Sequence, residues 1–440
     1  MGQLTDSKAP TSCDVTVIGA GLAGKAAALH LAKAGLNVIC LEPKESVRQP
    51  VGESLDWSAP ELLRVLGLPM DDLLARKIAT WKRHVTLKMR NGFGAHYDPT
   101  PWLAGPPFHI ELRTLHVDRE RLDQELMNLV LAQGVSIIHD KVVRVDVSGK
   151  RVSSIYTASG TQFSSPWFID ASGFAACLLA RQFGLRAFQY GPAKVAMLTY
   201  FPMPQSVEGT TIYVDPMPSQ YLDWIWEIPI NSGVVSVGYI TPGASVKAQR
   251  EQGLSVEKIF QAGVTRYPHF EELMRAGASA PISVTSFRCR AFSRLAGPNW
   301  FIAGEAAAMV DPMTSNGVTA ALRHADEASR LILKHRKRGK VSRIAGFCYS
   351  SRILQMAKFF NSGIEKIIYE TPVRNRIGVG TAGRVYTSPA WSMNVVYARL
   401  KPNGIVSTWV LNLLLGFFRA SAWILHSLCK VLPQAAEAAS

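Results

Sequence analysis

Gly19, Gly21 and Gly24 stand at the spacing G-x-G-x-x-G, and Glu42 follows eighteen residues after the last of them. This residue set suits the pyrophosphate of a dinucleotide. The first glycine permits a tight turn, the second lets the backbone approach the phosphates, and the third allows a helix to pack closely on its strand. A carboxylate about 20 residues further on is placed to meet ribose hydroxyls. The triplet alone is a weak signal, so its surroundings decide. Residues 13–18 read as a buried strand, residues 25–34 are alanine-rich with helical spacing and stop at Gly35, and residues 37–41 form a second apolar strand before the acid. The result is a β-α-β unit whose helix N-terminus supplies N–H donors and partial positive charge to phosphate. NAD and FAD both satisfy it.

Two other segments hold residues able to do chemistry. In Trp224-Ile225-Trp226-Glu227-Ile228-Pro229, a strand directs Trp224, Trp226 and Ile228 to one face. Two adjacent indoles make a rigid wall that excludes water; the competing reading is a pair of core tryptophans. In Ala79-Thr80-Trp81-Lys82, the amine of Lys82 is available as a neutral group only if burial lowers its pKa. Lys77, Arg83 and Lys88 lie nearby, so a solvated surface cation is the alternative.

Three further segments resolve the cofactor by resemblance. His116-Val117-Asp118-Arg119 opens a helix, Asp170-Ala171-Ser172-Gly173 follows Phe168-Ile169, and Gly304-Glu305-Ala306-Ala307 precedes a long helix. In that order they resemble the FAD-binding framework of aromatic hydroxylases, geranylgeranyl reductases and flavin-dependent halogenases, over residues 13–345. The resemblance implies FAD held through Gly19, Gly21, Gly24, Glu42, Arg119, Asp170, Gly304 and Glu305. Glu305 stands where the family usually has Asp, which keeps the carboxylate and alters the ribityl contact by one methylene. Residues 224–229 match the W-x-W-x-I-P signature of the halogenases, of which geranylgeranyl reductases carry a looser version. The segment ending at Lys82 resembles the one whose lysine receives hypohalous acid, so the resemblance implies catalytic roles for Lys82, Trp224 and Trp226. Residues 311–317 resemble the halogenase loop after the ribityl contact, which implies cofactor contacts for Pro312, Ser315, Asn316 and Gly317. Tryptophan halogenases carry a glutamate where this chain has Thr314. A threonine cannot take the arenium proton as a carboxylate does, so phenol or pyrrole rings fit better than free tryptophan.

The elements that position these residues form an α/β fold: a Rossmann-like FAD-binding domain, an inserted and mostly antiparallel β-sheet substrate domain (α+β in that part), and a helical C-terminal region. The expected boundaries are a disordered tail at 1–12, a discontinuous FAD-binding domain at 13–190 and 285–345, a β-rich substrate domain at 191–284, and helices with an apolar tail at 346–440. The six cysteines are widely separated, which suits a reducing compartment and argues against a disulfide scaffold or a zinc site. The start of the chain is polar and reads as no signal peptide, so the expected location is cytoplasmic. Residues 405–432 are apolar enough to raise a membrane span, but Arg419 near their middle favours a helix lying in the interface, anchored by Trp409, Phe417, Phe418 and Trp423. Packing on the protein's own core is the alternative. The net charge of +15 concentrates in Lys334, Arg336, Lys337, Arg338, Lys340 and Arg343, a solvated helix end or a docking patch for an acidic carrier protein or an anionic membrane.

Three functions follow as expectations: halogenation of an electron-rich aromatic, free or tethered; hydroxylation of a ring such as a peptide-bound tryptophan; or reduction of a prenyl lipid. With no second glycine motif, a separate flavin reductase is expected to supply reduced FAD to a halogenase. No metal and no nucleic-acid partner are expected.

Overall fold

The computed structural model describes residues 11–43, 51–90, 92, 94–98, 104–106, 109, 113–202, 208–215, 220–231, 233–278, 280–400 and 404–431. Residues 1–10 of the expected tail and 432–440 of the C-terminal region lie outside the described residues. Thr11–Ser12, the end of that tail, is a short strand that pairs with Gln162–Ser164.

Among the described residues, a five-stranded parallel sheet carries the order Trp300–Ile302, Trp167–Asp170, Val15–Ile18, Val38–Leu41, Ser136–Ile138. Its three inner strands are buried throughout, as continuous apolar runs are when both faces of a sheet are covered. Helix α1 (Leu22–Lys33) packs against α2 (Arg119–Ala132) and α3 (Gly317–His335). The Asp118 side chain caps α2 by accepting the Arg121 N–H. The carboxyl ends of the central strands point to one edge, where open α/β sheets bind their ligands.

The second large sheet has eight strands among the described residues: Ala308–Met309, Ser283–Phe292, Ala187–Pro202, Val234–Pro242, Trp224–Asn231, Thr210–Val214, Val85–Lys88 and Gly94–Tyr97. Every neighbouring pair is antiparallel except Thr210–Val214 with Val85–Lys88. The expected boundaries at 190 and 284 fall inside strands Ala187–Pro202 and Ser283–Phe292, because both belong to this sheet over their whole length, with a bulge in their pairing between Tyr190 and Lys194. Residues 191–284, expected to be β-rich, also carry helices. Helices Gly243–Glu251, Val256–Val264 and Pro268–Ala276 close one face, burying Phe260 and Phe270 against Ile225, Val235 and Val237.

The opposite face is covered by the C-terminal helices α4 (Arg343–Ile364), α5 (Val379–Arg399) and α6 (Ile405–Val431). Phe359, Phe360, Ile364 and Tyr386 share a core with Trp224, Trp226 and Ile228. A two-stranded ribbon, Ala79–Lys82 against Thr114–Val117, sits beside this sheet.

Candidate active site

A cavity of about 380 Å³ lies where the carboxyl ends of the parallel strands meet the large sheet. Gly21 and Leu22 at the start of α1, Ala171 and Gly173 after Trp167–Asp170, and Gly304 and Glu305 after Trp300–Ile302 line one side. Gly317 and Val318 open α3 on the same space, so two helix N-termini face it and favour an anion there. Gly19 holds a φ of +95°, and a Cβ on Gly24 would strike the Gly19 carbonyl, so neither position tolerates a side chain. A Cβ on Gly21 meets nothing within 4 Å, because that face opens on the cavity. Glu42 accepts the Ala20 N–H at 2.8 Å, which ties the acid to the glycine loop.

Arg119, in the cavity lining, is held by the Val51 carbonyl at 2.7 Å and by Asp123 at 3.3 Å. Its buried Nε has no partner among the described residues. An unpaired buried donor costs about 1–3 kcal/mol, and a cofactor oxygen would satisfy this one. The Glu305 side chain, exposed, also lines the cavity, where the Arg119 charge acts on its carboxyl. These features fit the FAD expected here: glycine space for the pyrophosphate, an unsatisfied guanidinium N–H, and a carboxyl beside it.

Asp170 departs from the expected contact. It is fully buried; Oδ1 accepts the Ser172 N–H at 3.0 Å and Oδ2 the Leu179 N–H at 2.7 Å. It braces the turn that presents Ala171 and Gly173 and is absent from the cavity lining among the described residues. Asn316 is also turned inward, at the N-cap of α3, while Pro312, Ser315 and Gly317 line the cavity. Ser315 sits in the left-handed region at φ +52°, uncommon for a non-glycine residue. Thr314 spends its hydroxyl on the Asp311 carbonyl at 2.8 Å, closing its own turn.

Trp224, Trp226 and Ile228 line the other side, the two indole centroids 5.8 Å apart. Trp226 opposes Gly238 in the ladder, and a Cβ on Gly238 would strike the indole. Trp226 Nε1 donates to Ser236 Oγ at 3.1 Å, and Ser236 Oγ donates to Glu53 Oε1 at 3.1 Å. Tyr200 donates to the same Glu53 oxygen at 3.0 Å. Buried Glu53 lines the cavity and was not singled out from sequence; its only mark there is being an acid in Val51-Gly52-Glu53-Ser54. Trp224 Nε1 donates to the Tyr369 hydroxyl at 2.8 Å, which donates to Asp311 Oδ1 at 3.0 Å. Asp311 and Glu365 hold the buried Lys194; burial works to lower that ammonium's pKa, but the two carboxylates keep it above its ordinary value.

Lys82 stands behind the cavity wall, outside its lining among the described residues. It is 4% exposed, so the surface-cation reading is excluded. Nζ donates to the Leu55 carbonyl at 2.9 Å and lies 5.7 Å from the Trp57 ring centroid. Burial lowers its pKa to about 8, with Asp56 pulling the other way. Glu53 and Ser54, next to Leu55 in the chain, do line the cavity. A polar chain crosses the wall. Ser315 Oγ donates to Ser54 Oγ at 3.2 Å, the Ser54 and Thr210 hydroxyls are 3.0 Å apart, and Thr210 Oγ1 is 2.9 Å from His116 Nε2. Burial, and then the Lys82 charge, hold the pKa of His116 far down, so the imidazole is neutral.

The family described as tryptophan halogenase matches residues 112–358, more than half of the chain, and that described as lycopene cyclase protein matches residues 14–200. A tryptophan 2-halogenase of Chondromyces crocatus is 30% identical over 72% of this chain and 60% of its own length, so the chain spans less than two thirds of that relative. A menaquinone reductase of Mycolicibacterium smegmatis is 30% identical over 73% of this chain and 76% of that protein. Relatives also include a brominase and a chlorinase of carrier-bound pyrroles. The fold is similar to that of the halogenase PltM in complex with phloroglucinol and FAD, with a TM-score of 0.73 and 16% identity, over 96% of this chain and 93% of that one. With a cavity whose lining fits FAD and a family match over more than half its length, the chain belongs to the tryptophan halogenase family and is an FAD-dependent oxidoreductase.

Proposed function

We propose that this protein halogenates an electron-rich aromatic ring, a phenol or a pyrrole, presented free or on a carrier. The observation that carries the reading is Lys82, a buried amine with a pKa lowered to about 8, one residue behind a cavity walled by two indoles. Reduced FAD, oxygen and halide supply hypohalous acid when the cofactor is bound. The neutral Lys82 amine accepts the halogen from that acid and releases water. The haloamine then passes the halogen, without its bonding electrons, to a ring carbon; the amide left on nitrogen recovers a proton, and the ring loses one. Trp224 and Trp226 orient the ring and exclude water, which would otherwise consume the oxidant. Thr314 fits an activated ring, which sheds its proton without a dedicated carboxylate base. Relatives that act on carrier-bound pyrroles support a tethered substrate. A separate flavin reductase supplies the reduced cofactor.

The test supplies flavin reductase, chloride or bromide, and a panel of phenols and pyrroles, and reads product mass. Halogen gain with the wild type and its loss in Lys82→Ala is the expected result. Unchanged halogenation in that variant rules out the role of Lys82, and a gain of oxygen alone replaces halogenation with hydroxylation. Reduction of a prenyl lipid or quinone is the second reading, favoured by the menaquinone reductase relative. Such a reaction persists without oxygen, so a strict oxygen requirement removes it.

A further inference from the structure

Helix α6 is amphipathic in an unusual sense: one face holds it to the protein and the other is left bare. Thr408, Leu411, Leu415 and His426 are buried, Asn412 donates to Ser351 of α4 at 2.8 Å, and Arg419 donates to Gln355 of α4 at 2.8 Å. Phe418 also faces inward, its ring 6.3 Å from that of Phe359, so it is no part of an outer anchor. The inward faces of Arg419 and His426 rule out a span with lipid on all sides. The opposite face exposes Val406, Trp409, Leu413, Phe417, Ile424 and Leu428, each at least half exposed. At 100° per residue these fall on one side of the helix, a stripe of about 40 Å for 27 residues. Isolated apolar residues on a surface need no explanation, but a continuous face of this length marks a binding surface.

The surroundings select the occupant. Residues 405–431 contain no Asp or Glu. Ile344 and Phe347 are exposed on the same side of α4 as Ser351 and Gln355, and so extend the apolar face past the start of α6. Immediately before them lie the exposed cations Lys334, Arg336, Lys337, Arg338, Lys340 and Arg343, with no acid among residues 334–343. Apolar residues with tryptophans on one face and a cluster of cations at one end match the acyl boundary and headgroups of an anionic bilayer. We propose that α6 and the start of α4 form a docking face that lays the protein on an anionic membrane surface, with α6 parallel to it. The inference is independent of the reaction at the flavin.

Full-length FAD-loaded protein sedimented with vesicles tests it. Binding to phosphatidylcholine vesicles containing phosphatidylglycerol is expected, with weaker binding to phosphatidylcholine alone. The pair Leu413→Glu and Phe417→Glu, and separately the triple Arg336→Glu, Lys337→Glu and Arg338→Glu, are each expected to weaken it roughly tenfold or more. None of these residues lines the cavity, so bound FAD and activity in solution stay at the wild-type level. If the glutamate pair fails to fold, Trp409→Phe and Trp423→Phe serve instead: each is expected to remove part of the fluorescence quenching by bromine-labelled acyl chains. Wild-type protein that stays in the supernatant with anionic vesicles, or undiminished binding by the glutamate pair, overturns the proposal. So does a wild-type dimer that binds no vesicles and is split by the same pair, since a second copy would then cover the face.

Discussion

In the proposed reaction, Lys82 is where a single side chain decides the chemistry. Its ammonium has left water for the segment of residues 55–57, where it meets the Leu55 carbonyl and the Trp57 indole. Desolvation disfavours the charged form, and the nearby Asp56 restores only part of that loss. Below a pH of about 8 the amine is protonated and has no lone pair for a halogen; above it the neutral form dominates. The expected kcat/KM for halogenation therefore rises with pH and levels off above about 8, measured with reduced flavin supplied in excess. A flat profile would leave Lys82 only a donor role. Glu53 shows the same dependence on surroundings. Its carboxylate organises Ser236, Tyr200 and, through Ser236, the Trp226 indole, so its part in the site comes from strands far away in the chain.

At the scale of elements, the strand Trp224–Asn231 carries the indole wall of the cavity, the substrate wall of the proposed reaction, and its neighbours set the wall's shape. Gly238, on the adjacent strand, leaves the space that the Trp226 ring fills. Gly238→Ala forces the indole out of its place, and overpacking of this kind costs about 1–3 kcal/mol. The expected outcome is a lower urea midpoint together with a raised KM for the aromatic substrate, while FAD affinity, set at the other side of the cavity, stays within about twofold. On the second tryptophan, the chain from Trp224 through Tyr369 to Asp311 joins the wall to the loop that leads into α3. The buried Lys194 then links that loop to Glu365 in the turn after α4. Substrate wall, flavin loop and C-terminal helices are thus tied through one ionic cluster.

For the whole molecule, the order of strands along the chain interleaves the two large sheets. Val85–Lys88 joins the eight-stranded sheet between the parallel strands Val38–Leu41 and Ser136–Ile138 in chain order, and Ala187–Pro202 through Ser283–Phe292 join it between Trp167–Asp170 and Trp300–Ile302. Such interleaving predicts that unfolding is a single transition. FAD binds only the native arrangement. At a free concentration of 100 times its Kd it is expected to add about 2.7 kcal/mol of stability. Calorimetry with and without FAD checks both statements; two separated transitions, with only one moved by FAD, would contradict the interleaved account.

Much of this was legible in the sequence because it is local. The glycine spacing, the alanine-rich helix and the strand ending at Glu42 lie within thirty residues, and short-range periodicity is enough to specify a β-α-β unit. The segments at Arg119, Asp170 and Gly304 extended that to FAD, and the alternation of residues 224–228 put both indoles on one face. What the sequence could not decide was burial and partnership. Lys82 reads equally as a surface cation until Leu55 and Trp57 meet it. Asp170 reads as a ligand contact until its oxygens are seen to brace a turn. Glu53 has no role until Ser236, 183 residues away, comes within hydrogen-bonding distance. The apolar tail divided between core and membrane until packing showed that one face meets the protein and the other does not. Spacing and polarity are properties of neighbours along the chain and determine elements; desolvation and hydrogen-bond choice arise between segments far apart in it, and only the tertiary structure brings those together.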